Sequence, residues 1–573
     1  MLESFFLGPR GENADFFQQI WGELLQRILR HRHDTFARDG ELTIPPPNSV
    51  EFKAMEAEIA NFFSILQKEV PTFSNRYLGH MISDVSIPAL IGNVSVLFCN
   101  PNLASKEVAT AGIMFELQAI NELAGMVGFD PVAARGHFTS GGTIANFEAF
   151  WRARYRLDHW LSMAAYLLEK GLAQDSIFEL AHQGWDSFDR NLEEHDIDLA
   201  MLAKRSYVVQ GPWDTASYYR DKLQREFPQP VILVPGNKHY SWPKSANVFG
   251  ISEKAIWPTE LDRFGRVSVP ALRKNIERAR HEQRPIMMNV SVAGTTELGT
   301  VDPVDEVSDL LDEYRERQGL HIWHHVDAAY GGYFCSTFRN GESLLSDKAV
   351  RAFSALSRVD SVTLDPHKLG FVPYSCGAFL AREPHGYSVS QVSAPYLRQD
   401  EKIDYPSWST TLEGSRSATG AGAVWLSAKV LPLDAQGHGA ILNQTLSVRD
   451  QLAGKLEDAF DDIYFMPGSD TNIVSFVLAP TGVALRDVNA RTSAIIDRFD
   501  DSPNFAISRT SLGMGSYEAM INSVVSKWDG DIDDDHLLVV RMVVMNPYLG
   551  HADTTEKLLT EFIQELQGFY LSY

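Results

Sequence analysis

Between Asp15 and Arg32 apolar residues recur every three to four positions, so that Phe16, Phe17, Ile20, Leu24, Ile28 and Leu29 share one face of a helix. The run Leu42-Thr-Ile-Pro-Pro-Pro-Asn48 breaks the chain, and residues 51–69 form a second amphipathic pattern. Together these helices read as an N-terminal arm that needs another surface to pack on. Helical spacing returns over 105–127 and 144–161, and the mixed, polar stretch 163–218 reads as helices and loops inserted into a larger unit. Strand-like apolar runs then follow at regular intervals, at 231–235, 285–293, 321–328, 361–364 and 376–381. Helical segments at 270–281 and 304–318 separate them, and strands alternating with helices predict a mostly parallel sheet. After Ser415 the order changes to helices over 419–433 and 441–459, strands over 471–478 and 537–546, and a last helix over 554–570. The expected organisation is a helical arm over 1–104, a large α/β domain over 105–414 and a smaller α+β domain over 415–573. No internal repeat or low-complexity linker interrupts it.

Composition narrows the function without choosing it. Of 573 residues, 44% are hydrophobic and 22% charged, which suits a globular chain with a large core. A net charge of -23 argues against nucleic acid and anionic membranes as partners. The three cysteines, Cys99, Cys335 and Cys376, form no close pair, so neither a disulfide framework nor a zinc ribbon is expected. Their spacing suits a reducing, cytoplasmic compartment. The first ten residues lack the basic start and long apolar core of a signal peptide, and the apolar run 87–98 is too short to span a bilayer.

The chemistry gathers where the strand-like runs end. Ser361-Val-Thr-Leu-Asp-Pro-His-Lys368 stops at Asp365-Pro366 and presents His367 and Lys368 side by side. The carboxyl ends of strands are where open α/β sheets bind ligands. A lysine amine there can form a Schiff base if its site lowers its pKa. Ile322-Trp-His-His-Val-Asp327-Ala-Ala ends another run with a carboxylate. A Schiff-base lysine plus an aspartate for a pyridinium nitrogen is what a protein contributes to pyridoxal phosphate chemistry. Thr139-Ser-Gly-Gly-Thr-Ile-Ala-Asn146 opens a helix with small residues that let backbone N–H groups approach an anion, though alone it reads more readily as a glycine-rich helix start. It matches neither the P-loop nor the dinucleotide fingerprint. His239 follows the run 231–235 and could stack on a flat cofactor or merely cap a turn. Gly294-Thr-Thr-Glu-Leu-Gly299 offers hydroxyls at the same edge.

Two further clusters suggest metals. His321, His324 and His325 lack another ligand motif nearby. Asp529-Gly-Asp-Ile-Asp-Asp-Asp535 lacks the glycine and the glutamate that a calcium loop requires and reads as a solvated acidic turn. No metal is expected at either.

The order of these motifs resembles that of the group II pyridoxal phosphate-dependent amino-acid decarboxylases, which have the fold type I, aspartate-aminotransferase-like architecture with a seven-stranded, mostly parallel sheet. Within them the bacterial tyrosine decarboxylases are most similar, through Arg76-Tyr-Leu-Gly-His-Met81, Phe98-Cys-Asn-Pro-Asn102, Lys238-His-Tyr-Ser-Trp242, His325-Val-Asp-Ala-Ala-Tyr-Gly-Gly332, Asp365-Pro-His-Lys368, Leu412-Glu-Gly-Ser-Arg416 and Met545-Asn-Pro-Tyr548. The likeness runs from about residue 70 to the C-terminus. It implies that Lys368 binds the cofactor covalently, that His239 stacks on the pyridine ring, and that Asp327 pairs with its nitrogen while Ala329 packs against it. Gly142 and Thr143 would hold the phosphate with His367 beside it, and Thr296 would lie near the ring substituents. Ser415 would reach the phosphate from the partner subunit, making the active site a property of a homodimer. Tyr396, in a loop able to close over the substrate, would return a proton to the α carbon. Tyr77 and His80 would border the substrate, and Arg541 would meet a substrate carboxylate. The implied reaction is decarboxylation of an aromatic L-amino acid such as tyrosine, dopa or phenylalanine. The alternatives are another fold type I reaction, including decarboxylation of a non-aromatic amino acid, carbon–carbon lysis or transamination, and a non-catalytic partner protein. Residues 175–218 and the charged stretch 397–404 depart from the family pattern.

Overall fold

The computed structural model describes residues 2–35, 44, 46–391 and 405–571. Seven strands form the larger sheet: β1 (Arg135–Thr139), β2 (Val231–Pro235), β3 (Ile256–Thr259), β4 (Ile286–Val292), β5 (His324–Asp327), β6 (Ser361–Leu364) and β7 (Gly377–Ala381). Their spatial order is β1-β7-β6-β5-β4-β2-β3. The five strands from β6 to β3 run parallel, and β7 lies antiparallel to both β6 and β1. Every residue of β2, β4, β5 and β6 is buried, because helices cover both faces, and this is why these strands read as short apolar runs without alternation. One of those helices, Gly142–Glu169, is 28 residues long and packs against β1, β4, β5, β6 and β7.

A second, four-stranded antiparallel sheet has the order β10-β11-β9-β8, built from β8 (Ile463–Phe465), β9 (Ile473–Leu478), β10 (Ser508–Gly513) and β11 (His536–Val543). The helices His438–Ala459 and Ala552–Leu571 pack together over it. The chain around Tyr77 lies along this sheet: Leu78 donates its N–H to Ala506 at 2.8 Å and accepts one from Val543 at 2.9 Å. That contact carries an N-terminal segment to the cavity described below.

The two arm helices are Ala14–Thr35 and Val50–Leu66, and neither buries a single residue within the chain. Phe62 and Phe63 stay 60% and 56% exposed. The insertion contains helices at Ile177–Leu180, Trp185–Glu194, Leu199–Ala203 and Pro212–Leu223. The run 87–98 is also a helix, Ile87–Leu97, packed on Thr419–Val430. Among the described residues no helix is long and apolar enough to cross a membrane.

Candidate active site

A cavity of about 900 Å³ opens at the carboxyl ends of β4, β5 and β6, where the small sheet and the segment around Tyr77 close over the large one. Lys368, Asp327 and His239 line it, as do Gly142, Thr143 and His367 at one end. Ala329 and Thr296 belong to its wall, and Tyr77, His80 and Arg541 face it from the other end. Ser415 does not line it. Its side chain is exposed and accepts a hydrogen bond from Asn102 Nδ2 at 3.0 Å. Tyr396 lies outside the described residues.

Lys368 Nζ stands 3.1 Å from Asp365 Oδ2. The lowered pKa expected of Lys368 is not found: burial alone would lower it, but the carboxylate of Asp365, and then that of Asp327, hold it above its ordinary value. His367 stacks on Tyr374 with ring centroids 4.0 Å apart, and its Nδ1 accepts the Cys376 N–H at 3.2 Å. Its proton is thereby left on Nε2, 3.5 Å from Asp365 Oδ2. Asp365 thus organises both members of the His-Lys pair, while its buried Oδ1 has no partner among the described residues.

Asp327 ends β5 and is held by a polar network. Asn146 Nδ2 donates to Asp327 Oδ2 at 2.7 Å and to Ser241 Oγ at 2.9 Å. The Ser241 hydroxyl lies 2.9 Å from His239 Nδ1, so one amide and one hydroxyl join the carboxylate to the imidazole. The amide's orientation follows from its neighbours. Trp323 Nε1 donates to Ser361 Oγ at 2.8 Å, the Ser361 hydroxyl meets His325 Nδ1 at 2.8 Å, and His325 Nε2 faces Asn146 Oδ1 at 3.4 Å. Burial pulls His325 down to about 4, so the ring is neutral and presents one N–H. Burial also lowers His239, which suits a flat neutral ring lying against an aromatic one.

The other end of the cavity is different in character. Arg541 on β11 donates to Ser508 Oγ at 3.1 Å and to the Gly79 carbonyl at 3.3 Å, leaving its buried Nε without an acceptor among the described residues. Glu297 shares that wall, and burial raises its carboxyl pKa. Burial, and then the charge of Arg541, lower His80. Tyr77, Tyr330, Met81 and Ile82 supply the apolar surface between.

These residues fit pyridoxal phosphate. The cavity offers an amine for the aldehyde, a carboxylate for the ring nitrogen and the N-terminus of a long helix for the phosphate. The helix start also keeps the room needed: a Cβ on Gly142 would come within 2.7 Å of Asp365 Oδ2. The segment 412–416 is tied across this loop, with Glu413 Oε2 accepting the Ser140 N–H at 3.1 Å and Arg416 paired with the buried Glu116.

Reading the motifs assigned no role to Asn146, Ser241, Glu297 or Tyr374. Asn146 could have been found, since it falls one helical turn after Gly142 and so on the same face. The histidine cluster does not converge. His325 faces Asn146 and Ser361, whereas His324 faces Ser291 at 2.9 Å and Ser308 at 3.4 Å on the other side of β5.

Residues 199–476 match the pyridoxal-dependent decarboxylase conserved domain. An L-tyrosine decarboxylase of Levilactobacillus brevis is 25% identical, over 99% of this chain and 96% of that protein. An aspartate 1-decarboxylase of Aliivibrio fischeri is 26% identical over 73% of this chain and 66% of its own length. The crystal structure of mouse CSAD superposes with a TM-score of 0.64 at 18% identity, covering 94% of this chain and 92% of that one, and supports the fold. With the matched domain enclosing Lys368, Asp327 and His239, and with a decarboxylase aligned along nearly its whole length, the chain carries a pyridoxal-dependent decarboxylase domain and is a carboxy-lyase that uses pyridoxal phosphate.

Proposed function

We propose that this enzyme decarboxylates an aromatic L-amino acid, with tyrosine, dopa and phenylalanine as the leading substrates. The observation that carries this reading is the far end of the cavity, where Tyr77, Tyr330, Met81 and Ile82 offer apolar surface before Glu297 and Arg541. A phenol hydroxyl both donates and accepts, and an acid with a raised pKa beside a guanidinium suits it at that end of the cavity.

In this reading Lys368 holds the cofactor covalently, Gly142 and Thr143 bind its phosphate beside His367, and His239 and Ala329 enclose its ring. When bound, pyridoxal phosphate supplies an electron sink for the pair left on the α carbon as CO2 departs. Asp327, oriented by Asn146, keeps a proton on the ring nitrogen. The apolar wall excludes water from the departing carboxylate, and neutral His239 adds contact without competing charge. Tyr396 returns a proton to the α carbon, and Thr296 borders the ring. The exposed faces of the arm helices and the exposed Ser415 support a homodimer in which Ser415 reaches the partner's cofactor phosphate. Sedimentation of the holoenzyme at micromolar concentration should show at least a dimer, and an active monomer would remove Ser415 from the site.

A second reading keeps the reaction and changes the side chain. The unpartnered, buried Nε of Arg541 favours an acidic substrate such as aspartate. Incubating the holoenzyme with all standard L-amino acids plus dopa and analysing the amines decides between them. Tyramine, dopamine or phenethylamine is expected as the main product, and β-alanine in excess would overturn the aromatic assignment.

A further inference from the structure

A second cavity, of about 270 Å³, lies at the opposite edge of the large sheet, at the amino ends of β5 and β6. It brings together two features that the decarboxylase chemistry leaves unused, the histidine cluster and the inserted segment. His321 and His324 form part of its lining, and Gly184, Trp185 and Asp186 of the insertion form another part. The insertion is seated closely. Gly184 has φ +82°, and a Cβ there would come within 2.9 Å of the His321 ring. Trp185 stacks on His385 with centroids 5.7 Å apart and meets Trp160 edge-on at 5.6 Å.

The polar groups of this cavity are unevenly paired. Arg315 and Arg358 are both committed to Asp312, at 2.7 and 2.6 Å, and Arg358 also to Asp309 at 2.7 Å. Asp360 accepts the His324 N–H at 2.7 Å. Arg382 is more loosely held, 3.7 Å from Asp360 and 3.4 Å from Glu383, and its buried Nε has no acceptor among the described residues. Arg156 is only 3% exposed and is held by the Met287 carbonyl and by two indoles, 4.5 Å from the ring of Trp160 and 5.4 Å from that of Trp323. Its Nε also lacks an acceptor, as does Nε1 of Trp160, which is 4% exposed. Buried donors are satisfied in most proteins, and three around one cavity require an acceptor. Of the three, the two guanidiniums favour a negatively charged one.

We propose that this cavity is a second ligand site, and that it takes a small anion, an inorganic oxyanion or a carboxylate, on Arg156, Arg382 and the Trp160 N–H. The volume suits such a ligand, being several times the share of about 30 Å³ taken by one water molecule. Asp186 and Glu383 also border the cavity and discriminate against large polyanions by repulsion. The site owes its existence to the insertion, since Trp185 provides the wall that encloses Trp160.

The test uses the holoenzyme, so that the helix start at Gly142, which the proposed function assigns to the cofactor's phosphate, does not compete for the anion. At constant ionic strength, inorganic phosphate and acetate are titrated separately while the thermal midpoint and tryptophan fluorescence are followed. A saturable rise in midpoint with at least one anion is expected. Phosphate alone would identify an oxyanion site, and acetate would identify a carboxylate site. Trp160→Phe removes one N–H and keeps an aromatic ring. It should weaken the anion's apparent affinity about tenfold, read as the anion-dependent rise above the variant's own midpoint, which lies lower because the smaller ring packs less well. Arg382→Gln, at a half-buried position, should weaken binding at least as much. No saturable rise with either anion, or a rise that survives both substitutions unchanged, would overturn the proposal.

Discussion

At the carboxyl ends of β5 and β6 the side chains of Asp327 and Asp365 stand with Lys368, whereas at the amino ends of the same two strands His324 and Asp360 stand with Arg156 and Arg382. The same helix, Gly142–Glu169, serves both ends, contributing Gly142, Thr143 and Asn146 to the first cavity and Arg156 and Trp160 to the second. Residue types are therefore similar, yet the ends differ in what the charges can do. Lys368 carries a primary amine, able to form a covalent bond once it loses its proton, with a carboxylate at 3.1 Å, and the carboxylate beyond it is held by Asn146 at 2.7 Å. The cations opposite are guanidiniums, which stay protonated and can only bind. Parallel strands set this asymmetry, since successive strands all end on one side and their following loops gather there. The lesson is that a buried cluster becomes a reactive site through the chemistry of one group and the room beside it.

The largest expected effect comes from removing that one group. Lys368→Ala should lower turnover by about ten thousandfold or more, roughly 5.4 kcal/mol of barrier, and abolish the visible absorbance of the lysine-bound cofactor. A variant that turns over near the parent rate would make the two ends equivalent and break the comparison. Asp327→Asn should cost about a thousandfold in kcat, roughly 4 kcal/mol, with the circular dichroism of the parent retained, because an amide cannot hold a proton on the ring nitrogen. A loss below about tenfold would count against that role.

Asn146→Ala tests whether the network, and not the carboxylate alone, distinguishes the carboxyl end. Loss of a hydrogen bond to a charged group is worth about 1.5–3 kcal/mol, so kcat should fall about tenfold or more with KM little changed. If KM rises and kcat holds, Asn146 shapes binding instead.

The smallest effect per residue is on stability, and it reaches both ends. Burial pulls His324 at the amino end down to about 3, and His182, His325 and His438 down to about 4. A histidine whose folded pKa lies below its unfolded value, about 6.5, contributes stability above that value and loses it progressively as pH falls toward the folded pKa. Each of the three near 4 should cost about 2 kcal/mol at pH 5 relative to pH 7. Denaturant midpoints measured from pH 7 to pH 5 should fall accordingly. His438→Leu should flatten that slope while lowering stability at pH 7 by about 1–2 kcal/mol, since the Leu369 carbonyl loses its partner at 2.6 Å. An unchanged slope would show that His438 is not among the groups titrating.

Much of this was legible before the fold was known. The helix expected over 304–318 is Val304–Gln318, and the runs 231–235 and 361–364 are β2 and β6. Four strands were not legible, for physical reasons. β1 is Arg-Gly-His-Phe-Thr and merges with the glycine-rich helix start, and its pairing partner β7 lies more than 230 residues away. β3 contains a proline at the sheet edge, β8 has three residues, and β10 is mostly polar because half of it faces solvent. The glycine run and the strand-end lysine, aspartate and histidine could be picked out because their backbone positions follow from local pattern.

By itself, then, the sequence determined the alternation of strands and helices, the edge of the sheet where the larger cavity opens, and the motifs Asp-Pro-His-Lys368 and His-Val-Asp327, all of which depend on residues close together along the chain. Only the tertiary structure decided that Asn146 would join Asp327 to Ser241 and His239, that Tyr77 would be carried to Arg541 by the second sheet, and that the insertion would wall a cavity around Arg156. Those partners are tens to hundreds of residues apart, and nothing in their local spacing encodes the packing that brings them within hydrogen-bonding distance.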